Sequence, residues 1–262
     1  MGKPKLGQVF LTDLNIINKI INSLLIVPEY SLLEIGCGDG ILTEALSCFE
    51  NPLTVIEIDE VCINNTKKRL SSKDAITWIC DDVLNCNFSQ LTAPVLLVAN
   101  IPYYISAKLI QKLVKHKTLF ANITIMIQKE FAQKCIAKPF QKSYTSLSVF
   151  TQYHFDVDYL FDVSKRCFNP VPNIDSAVIR LTPNLVSYNQ DARCFETVVN
   201  ACFWGKRKKL STSLRQNPFC SFSLDVRDLS AISHLLSKRA DQLNKYEYVD
   251  LVNALKPYIL LE

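Results

Sequence analysis

The sequence predicts an α/β protein: a largely parallel sheet with helices on both faces, followed by a small all-helical domain. Two observations carry this expectation. Short, near-continuous apolar runs alternate with amphipathic stretches over the first half of the chain, which is the pattern of strands buried on both faces of a parallel sheet. Beyond residue 185 the apolar residues recur only at helical spacing. A hydrophobic content of 48% over 262 residues excludes a disordered chain and supplies material for a core.

Taken in order, Thr12 or Asp13 caps a first helix whose apolar positions are Leu14, Ile17, Ile20/Ile21 and Leu24/Leu25. Apolar runs at 32–35, 53–58, 75–79, 94–99 and 123–127 read as strands, with helices at 40–49, 60–70, 105–117 and 129–137 between and after them. Residues 145–153, 157–163 and 175–182 have no obvious helix between them and read as antiparallel closing strands. A loop follows at 182–189. The spacing of Leu229, Ile232, Leu235/Leu236 and of Tyr248, Leu251/Val252, Leu255 predicts helices after it. The natural partition is therefore 1–184 and 185–262.

Ten cysteines form no C-x-x-C pair, and three histidines are too few to support them in a metal cluster, so zinc ribbons and fingers are not expected and no metal site is assigned. Residues 1–10 lack a continuous apolar segment, and no run reaches the ~18 apolar residues a membrane span requires. A soluble, cytoplasmic protein with reduced thiols is expected. The net charge of +4 is unevenly distributed. Residues 29–100 sum to −7, residues 101–155 to +7, and 206–215 hold five bases and no acid. Such blocks suit a polyanion meeting one face, or equally a set of lysine-solvated helices.

Gly36, Gly38 and Gly40 follow the first long strand and open a helix, and they are half of the six glycines in the chain. Glycines at this place allow positive φ and a close approach of backbone to ligand. Glu57 ends the second strand, where one carboxylate matches the two hydroxyl donors of a ribose. Asp82, beside Asp81, ends the third and could accept an adenine amino group. The Gly-x-Gly-x-Gly spacing sits in the acidic half of the chain, without a phosphate-binding cluster. It therefore fits a cationic adenosine ligand, S-adenosylmethionine, better than a dinucleotide.

The tetrapeptide Asn100-Ile101-Pro102-Tyr103 ends the fourth strand. An aromatic amine is a poor nucleophile because its lone pair is delocalised into the ring. The Asn100 side-chain oxygen and a neighbouring backbone carbonyl can accept both N–H bonds, drawing the nitrogen toward sp³ geometry. Pro102 stiffens the turn, and Tyr103 offers a face on which an extruded base stacks. In Phe168-Asn169-Pro170-Val171-Pro172 two prolines fix an extended loop. Phe168 there is either a second aromatic surface for the base or a buried core ring.

These motifs, in this order, resemble the ribosomal RNA adenine N6,N6-dimethyltransferases over nearly the whole chain. Leu6-Gly7-Gln8-Val9-Phe10-Leu11 is similar to that family's Gly-Gln-Asn-Phe-Leu signature. Phe203, Lys206-Arg207-Lys208 and Leu210 resemble its Phe…Arg-Arg-Lys…Leu motif, and Arg239-Ala240-Asp241-Gln242-Leu243 its Arg-Ala-Glu-x-Leu segment. The resemblance implies a Rossmann-like S-adenosylmethionine-dependent methyltransferase sheet in 1–184 and a helical rRNA-binding domain in 185–262. It assigns Gln8, Val9, Leu11 and Gly36 to the methionine part of the cofactor, Glu57 to its ribose and Asp82 to its adenine. Asn100 would face the target amine as well as the cofactor, with Tyr103 and Phe168 beside the base. Lys206, Arg207 and Lys208 would bind RNA.

The departures are Val9 for Asn, Gly205-Lys206 for Gln-Arg, Thr212 for Asn, and Tyr104 for Asn or Gln. The match of 206–210 and 239–243 favours dimethylation of two adjacent adenosines near the 3′ end of small-subunit rRNA within a pre-ribosomal particle. The alternatives are a large-subunit rRNA enzyme of the erythromycin-resistance type and a non-enzymatic assembly factor on the same fold. A monomer is expected; the ten cysteines are expected to pack as small apolar residues, and Cys37, inside the glycine turn, is the one to watch for cofactor-protected alkylation.

Overall fold

Strands that are apolar along their whole length need cover on both faces, and the chain supplies it by alternating them with helices. The computed structural model describes residues 9–70, 76–184 and 192–260, without the side chain of Tyr103. Gln8, and with it Leu6 and Gly7, lies outside the described residues, as does Ala75.

Two compact units form: residues 1–132 with 156–183, and residues 133–155 with 184–262. The first begins with β1 (Phe10–Leu11), α1 (Leu14–Ser23), β2 (Ser31–Ile35), α2 (Ile41–Leu46), β3 (Leu53–Glu57), α3 (Glu60–Arg69), β4 (Ile76–Cys80), β5 (Val95–Asn100), α4 (Ser106–Lys115) and β6 (Phe120–Gln128). Asp13 caps α1 by accepting the Asn15 N–H at 2.8 Å. The helix buries Ile16, Ile17 and Ile20, while Leu14 and Leu25, expected on its apolar face, are exposed.

Next come α5 (Lys129–Ile136), α6 (Ser146–His154), β7 (Phe155–Val163), β8 (Phe168–Asn169) and β9 (Ser176–Pro183). The main sheet has the order β4-β3-β2-β5-β6-β9-β7. The strands β4, β3, β2, β5 and β6 are parallel, and β9 runs antiparallel to β6. From β2 the chain builds outward through β3 and β4, then returns to β5 on the other side, which makes the β2/β5 boundary the switch point at which such sheets open a crevice.

The register aligns the strand tips. Ile35 pairs with both Ile56 and Ala99, and Glu57 pairs with Cys80. The residues that follow, Gly36, Asn100 and Asp81-Asp82, therefore emerge at the same edge as Glu57. Separately, β1 pairs with β8, Leu11 opposite Phe168.

The second unit holds α6, α7 (Ala192–Trp204), α8 (Leu210–Gln216), β10 (Ser221–Phe222), α9 (Ser233–Leu236), α10 (Lys245–Leu255) and β11 (Ile259–Leu260). It takes in residues 133–155, which the sequence partition placed with the sheet. One element changes type: residues 145–153 were expected to be a strand, and 146–154 are a helix. The Ser148 hydroxyl reaches back over the first turn and accepts the Thr145 N–H at 2.9 Å, half of a capping box. The helix is buried nearly all round, through Val149, Phe150, Thr151, Tyr153 and His154, so its sequence carries no amphipathic stripe.

Tyr153 stacks on Phe195 with ring centroids 3.8 Å apart. Two buried tyrosines tie the loop before α10 to this core. Tyr144 donates to the Leu243 carbonyl at 2.8 Å and Tyr248 to the Ala240 carbonyl at 2.7 Å.

Tyr248→Phe keeps the ring but leaves the buried Ala240 carbonyl without its donor. It should lower unfolding stability by ~1–3 kcal/mol in urea titration; an unchanged midpoint would show that the hydroxyl contributes nothing.

Candidate functional site

A cavity of about 350 Å³ opens at the shared edge of β2, β3, β4 and β5. Val9, Leu11, Gly36, Glu57, Asp82, Asn100 and Phe168, all singled out in the sequence, line it.

The glycine turn has the geometry its composition requires. Gly36, Gly38 and Gly40 have φ of +80°, +55° and +85°, in the left-handed region that side chains disfavour. Gly36 donates to the Ile56 carbonyl at 2.8 Å, and a Cβ on it would lie 3.5 Å from the Asn100 carbonyl oxygen. A Cβ on Gly40 would come within 2.5 Å of Thr66 Cγ2, so this glycine lets α3 close on the turn. On Gly38 it would lie 3.0 Å from the Phe10 ring, which shares the cavity wall.

Glu57 is buried, and both its oxygens accept backbone N–H groups: Oε2 from Gly38 at 3.2 Å and Oε1 from Asp59 at 3.0 Å. An ionised carboxylate has about four acceptor sites, so capacity for two hydroxyl donors remains. Asp82 is half-buried, and its Oδ1 accepts the Leu84 N–H at 2.9 Å.

Asn100 is half-buried at the end of β5, where Ile101 donates to the Met126 carbonyl at 3.1 Å. Pro102 and Tyr104 also line the cavity, and Tyr104, 70% exposed, stands at its rim. Phe168 is only 3% exposed, is paired beside Leu11, and forms part of the cavity wall.

Two residues were not singled out in the sequence. Lys112 of α4 donates to the carbonyls of Leu84, at 3.1 Å, and Cys86, and lies 4.7 Å from the Phe88 ring centroid. It fastens the segment that begins at Asp82 to the helix that follows the Asn100 turn. Glu34, next to the glycine turn, is fully buried with no hydrogen-bond partner on either oxygen. Burial pushes its carboxyl up to about 8, the charges of Glu57 and Asp39 add to the rise, and the nearby Thr43 hydroxyl opposes it without a well-formed hydrogen bond. Cys37 is buried too, and burial, with Glu57 and Glu34, pushes its thiol far above the ordinary range. Its burial matches packing as a small apolar residue and opposes thiolate formation.

In the second unit Lys206 donates to the carbonyls of Lys142, at 3.1 Å, and Tyr144, at 2.7 Å. Two of its three N–H donors therefore hold the fold. Arg207 and Lys208 are exposed, with Lys208 bonded to Gln216 Oε1 at 2.7 Å. Among the described residues no cluster of metal-ligating side chains occurs, and no helix is long and apolar enough to cross a membrane.

A glycine-cradled cavity at the switch point of a doubly covered sheet, with acids at two neighbouring strand tips and the Asn100–Pro102 turn in its lining, defines the class: an α/β protein with a ligand-sized cavity at its sheet edge. The chain is 35% identical to the ribosomal RNA small subunit methyltransferase A of Bacillus cytotoxicus, an alignment spanning 98% of this chain and 92% of the relative. Its fold matches a dimethyladenosine transferase from Plasmodium falciparum with a TM-score of 0.83 at 27% identity, over 94% of this chain and 97% of that one. The 23S rRNA methyltransferase ErmE matches with 0.71 at 26% identity, over 94% and 99%. The model of the ribosomal RNA adenine dimethylase family matches residues 1–255, and the chain belongs to that family.

The buried Glu34 carboxyl makes stability pH-dependent. Its native value of about 8 lies above the 4.5 of an unperturbed glutamate, so between these pH values the folded protein keeps a proton that the unfolded chain has released. The contribution is complete below 4.5 and is lost as pH rises to about 8. Wild-type stability should fall by roughly 1–4 kcal/mol from pH 5 to 8 through this group, and Glu34→Gln should flatten the profile. Parallel profiles for the two proteins would rule this out.

Proposed function

We propose that this protein uses S-adenosylmethionine to dimethylate the N6 amino groups of two adjacent adenosines near the 3′ end of small-subunit rRNA, within a pre-ribosomal particle. The observation that carries the reading is the convergence of the glycine turn, Glu57, Asp82 and Asn100 on one cavity. Its small-subunit direction is supported by the similarity to methyltransferase A over nearly the full length of both chains.

The residues fit the cofactor. The turn at 36–40 keeps side chains out of the space beside the backbone, Glu57 retains acceptors for a ribose diol, and Asp82 lies one strand further along for the adenine amine. Val9 and Leu11 provide an apolar wall against the methionine chain, Phe168 stands beside the base, and Gln8 belongs to the same segment as Val9. When bound, S-adenosylmethionine supplies an electrophilic methyl group on a cationic sulfur.

The chain's own part is orientation and polarisation. Asn100 Oδ1 and the Ile101 carbonyl accept the two N–H bonds of the target amine, which localises the nitrogen lone pair toward the methyl. Tyr103 and the exposed Tyr104 stack the extruded base. No strong base is required, because alkylation makes the departing proton acidic. The protein acts in the cytoplasm as a monomer, and the exposed bases Arg207 and Lys208, with Lys206, hold the RNA backbone.

Methyl transfer from labelled cofactor should be efficient on unmodified small subunits and weak on large-subunit RNA; the reverse preference would overturn the substrate assignment. Asn100→Ala should lower the methyl-transfer rate by at least 100-fold with little change in RNA binding. Retained turnover would remove Asn100 from the mechanism.

A further inference from the structure

The second unit displays an aromatic pair that the proposed function does not use. Trp204, the last residue of α7, is 58% exposed, and Phe219, in the segment after α8, is 45% exposed. Their ring centroids lie 6.0 Å apart with the planes at 84°. In an edge-to-face pair each ring keeps at least one face free of the other, and the exposure of Trp204 leaves that face to solvent.

Both rings stand on fixed backbone. Gly205 accepts the Lys208 N–H at 2.6 Å and the Ser213 hydroxyl at 3.1 Å, which closes the turn behind Trp204. Asn217 Oδ1 accepts the N–H groups of Phe219 and Cys220 at 2.8 and 3.0 Å, which sets the Phe219 position. Between the two rings in sequence lie the exposed Arg207, Lys208 and Lys209, and 206–215 contain no acidic residue.

A large exposed apolar surface on a rigid turn needs an occupant, and the charge around it selects one. We propose that Trp204, with Phe219 at its edge, is a stacking platform for an unpaired nucleotide of the RNA, whose phosphates lie along Arg207, Lys208 and Lys209. A π face accepts any base, while the bases of the turn neutralise the backbone, which is how single-stranded nucleic acid is held without sequence readout. This inference rests on the rRNA reading above and adds a base contact made by the second unit. A protein partner would instead be expected to meet a surface less dominated by one sign of charge.

The chain has two tryptophans, Trp78 and Trp204, so Trp78→Phe leaves Trp204 as the sole reporter. Titration of that variant with a short unstructured RNA, a uridine decamer, should quench its emission saturably. Trp204→Leu should weaken binding of the labelled decamer about tenfold by anisotropy, and Trp204→Phe should restore most of it. The salt dependence should survive Trp204→Leu and become shallower in K208Q/K209Q. Decamer binding without quenching, equal affinity of the leucine variant, or no decamer binding at all overturns the platform. So does an emission change produced only by small-subunit proteins free of RNA. Methyl transfer by the wild type to small subunits is measured in parallel: its absence with quenching intact rejects the proposed function and leaves the platform standing.

Discussion

The site depends on one carboxylate. Glu57 is the last residue of β3, and its two oxygens hold the N–H of Gly38 on one side and of Asp59 on the other. Through them a single side chain fixes the glycine turn after β2 and the start of α3, whose cap is Asp59. The constraint reaches further, because Gly40 lies so close to Thr66 of α3 that nothing larger fits between them. Turn, helix and strand tip are thus one rigid piece. Hydrogen bonds from backbone amides occupy part of the carboxylate's acceptor capacity and orient the remainder, so the residue that builds the turn is also the one proposed to hold a ribose diol.

Where the physics is local and repetitive, the fold was readable. The runs at 32–35, 53–58 and 94–99 became β2, β3 and β5 with ends shifted by one residue, because a strand buried on both faces has few sequence alternatives. Residues 146–154 misled for the same reason. A short segment rich in Val, Phe, Thr and Tyr, buried on every side, has no polar stripe, and only the Thr145–Ser148 cap distinguishes it from a strand. The grouping of 133–155 with the C-terminal helices is also a property of packing. Tyr144, Val149 and Tyr153 share a core with Phe195, Leu214 and Tyr248, and no local pattern announces partners that distant in sequence.

The site was legible to the extent that its residues sit at strand ends. Gly36, Glu57, Asp82 and Asn100 meet because parallel register places successive tips side by side, and the sequence already located those tips. What remained hidden are groups whose work is to hold others. Lys112 looks like one more surface lysine on an amphipathic helix, yet it joins the Asp82 segment to the helix after Asn100. Lys206 looks like part of a basic run, yet most of its donor capacity closes the second unit onto residues 142–144. A charge count cannot separate a lysine that meets solvent from one that meets carbonyls.

The same limit applies to the acidic block, and here the correction is quantitative. Residues 29–100 carry a formal −7, which invites the picture of a strongly negative well for a cationic cofactor. Beneath the glycine turn, however, Glu34 is buried without a partner and holds its proton until about pH 8, and burial also raises the Asp39 carboxyl. Two ionised carboxylates in adjoining dry positions would repel one another, and the cheaper state leaves Glu34 neutral beside Glu57. At neutral pH Glu34 therefore contributes no charge beneath the turn, and the formal sum over the block overstates the negative charge there. Acids of the block that lie exposed and more than about 10 Å from the cavity are screened at ordinary ionic strength and add little to the field there.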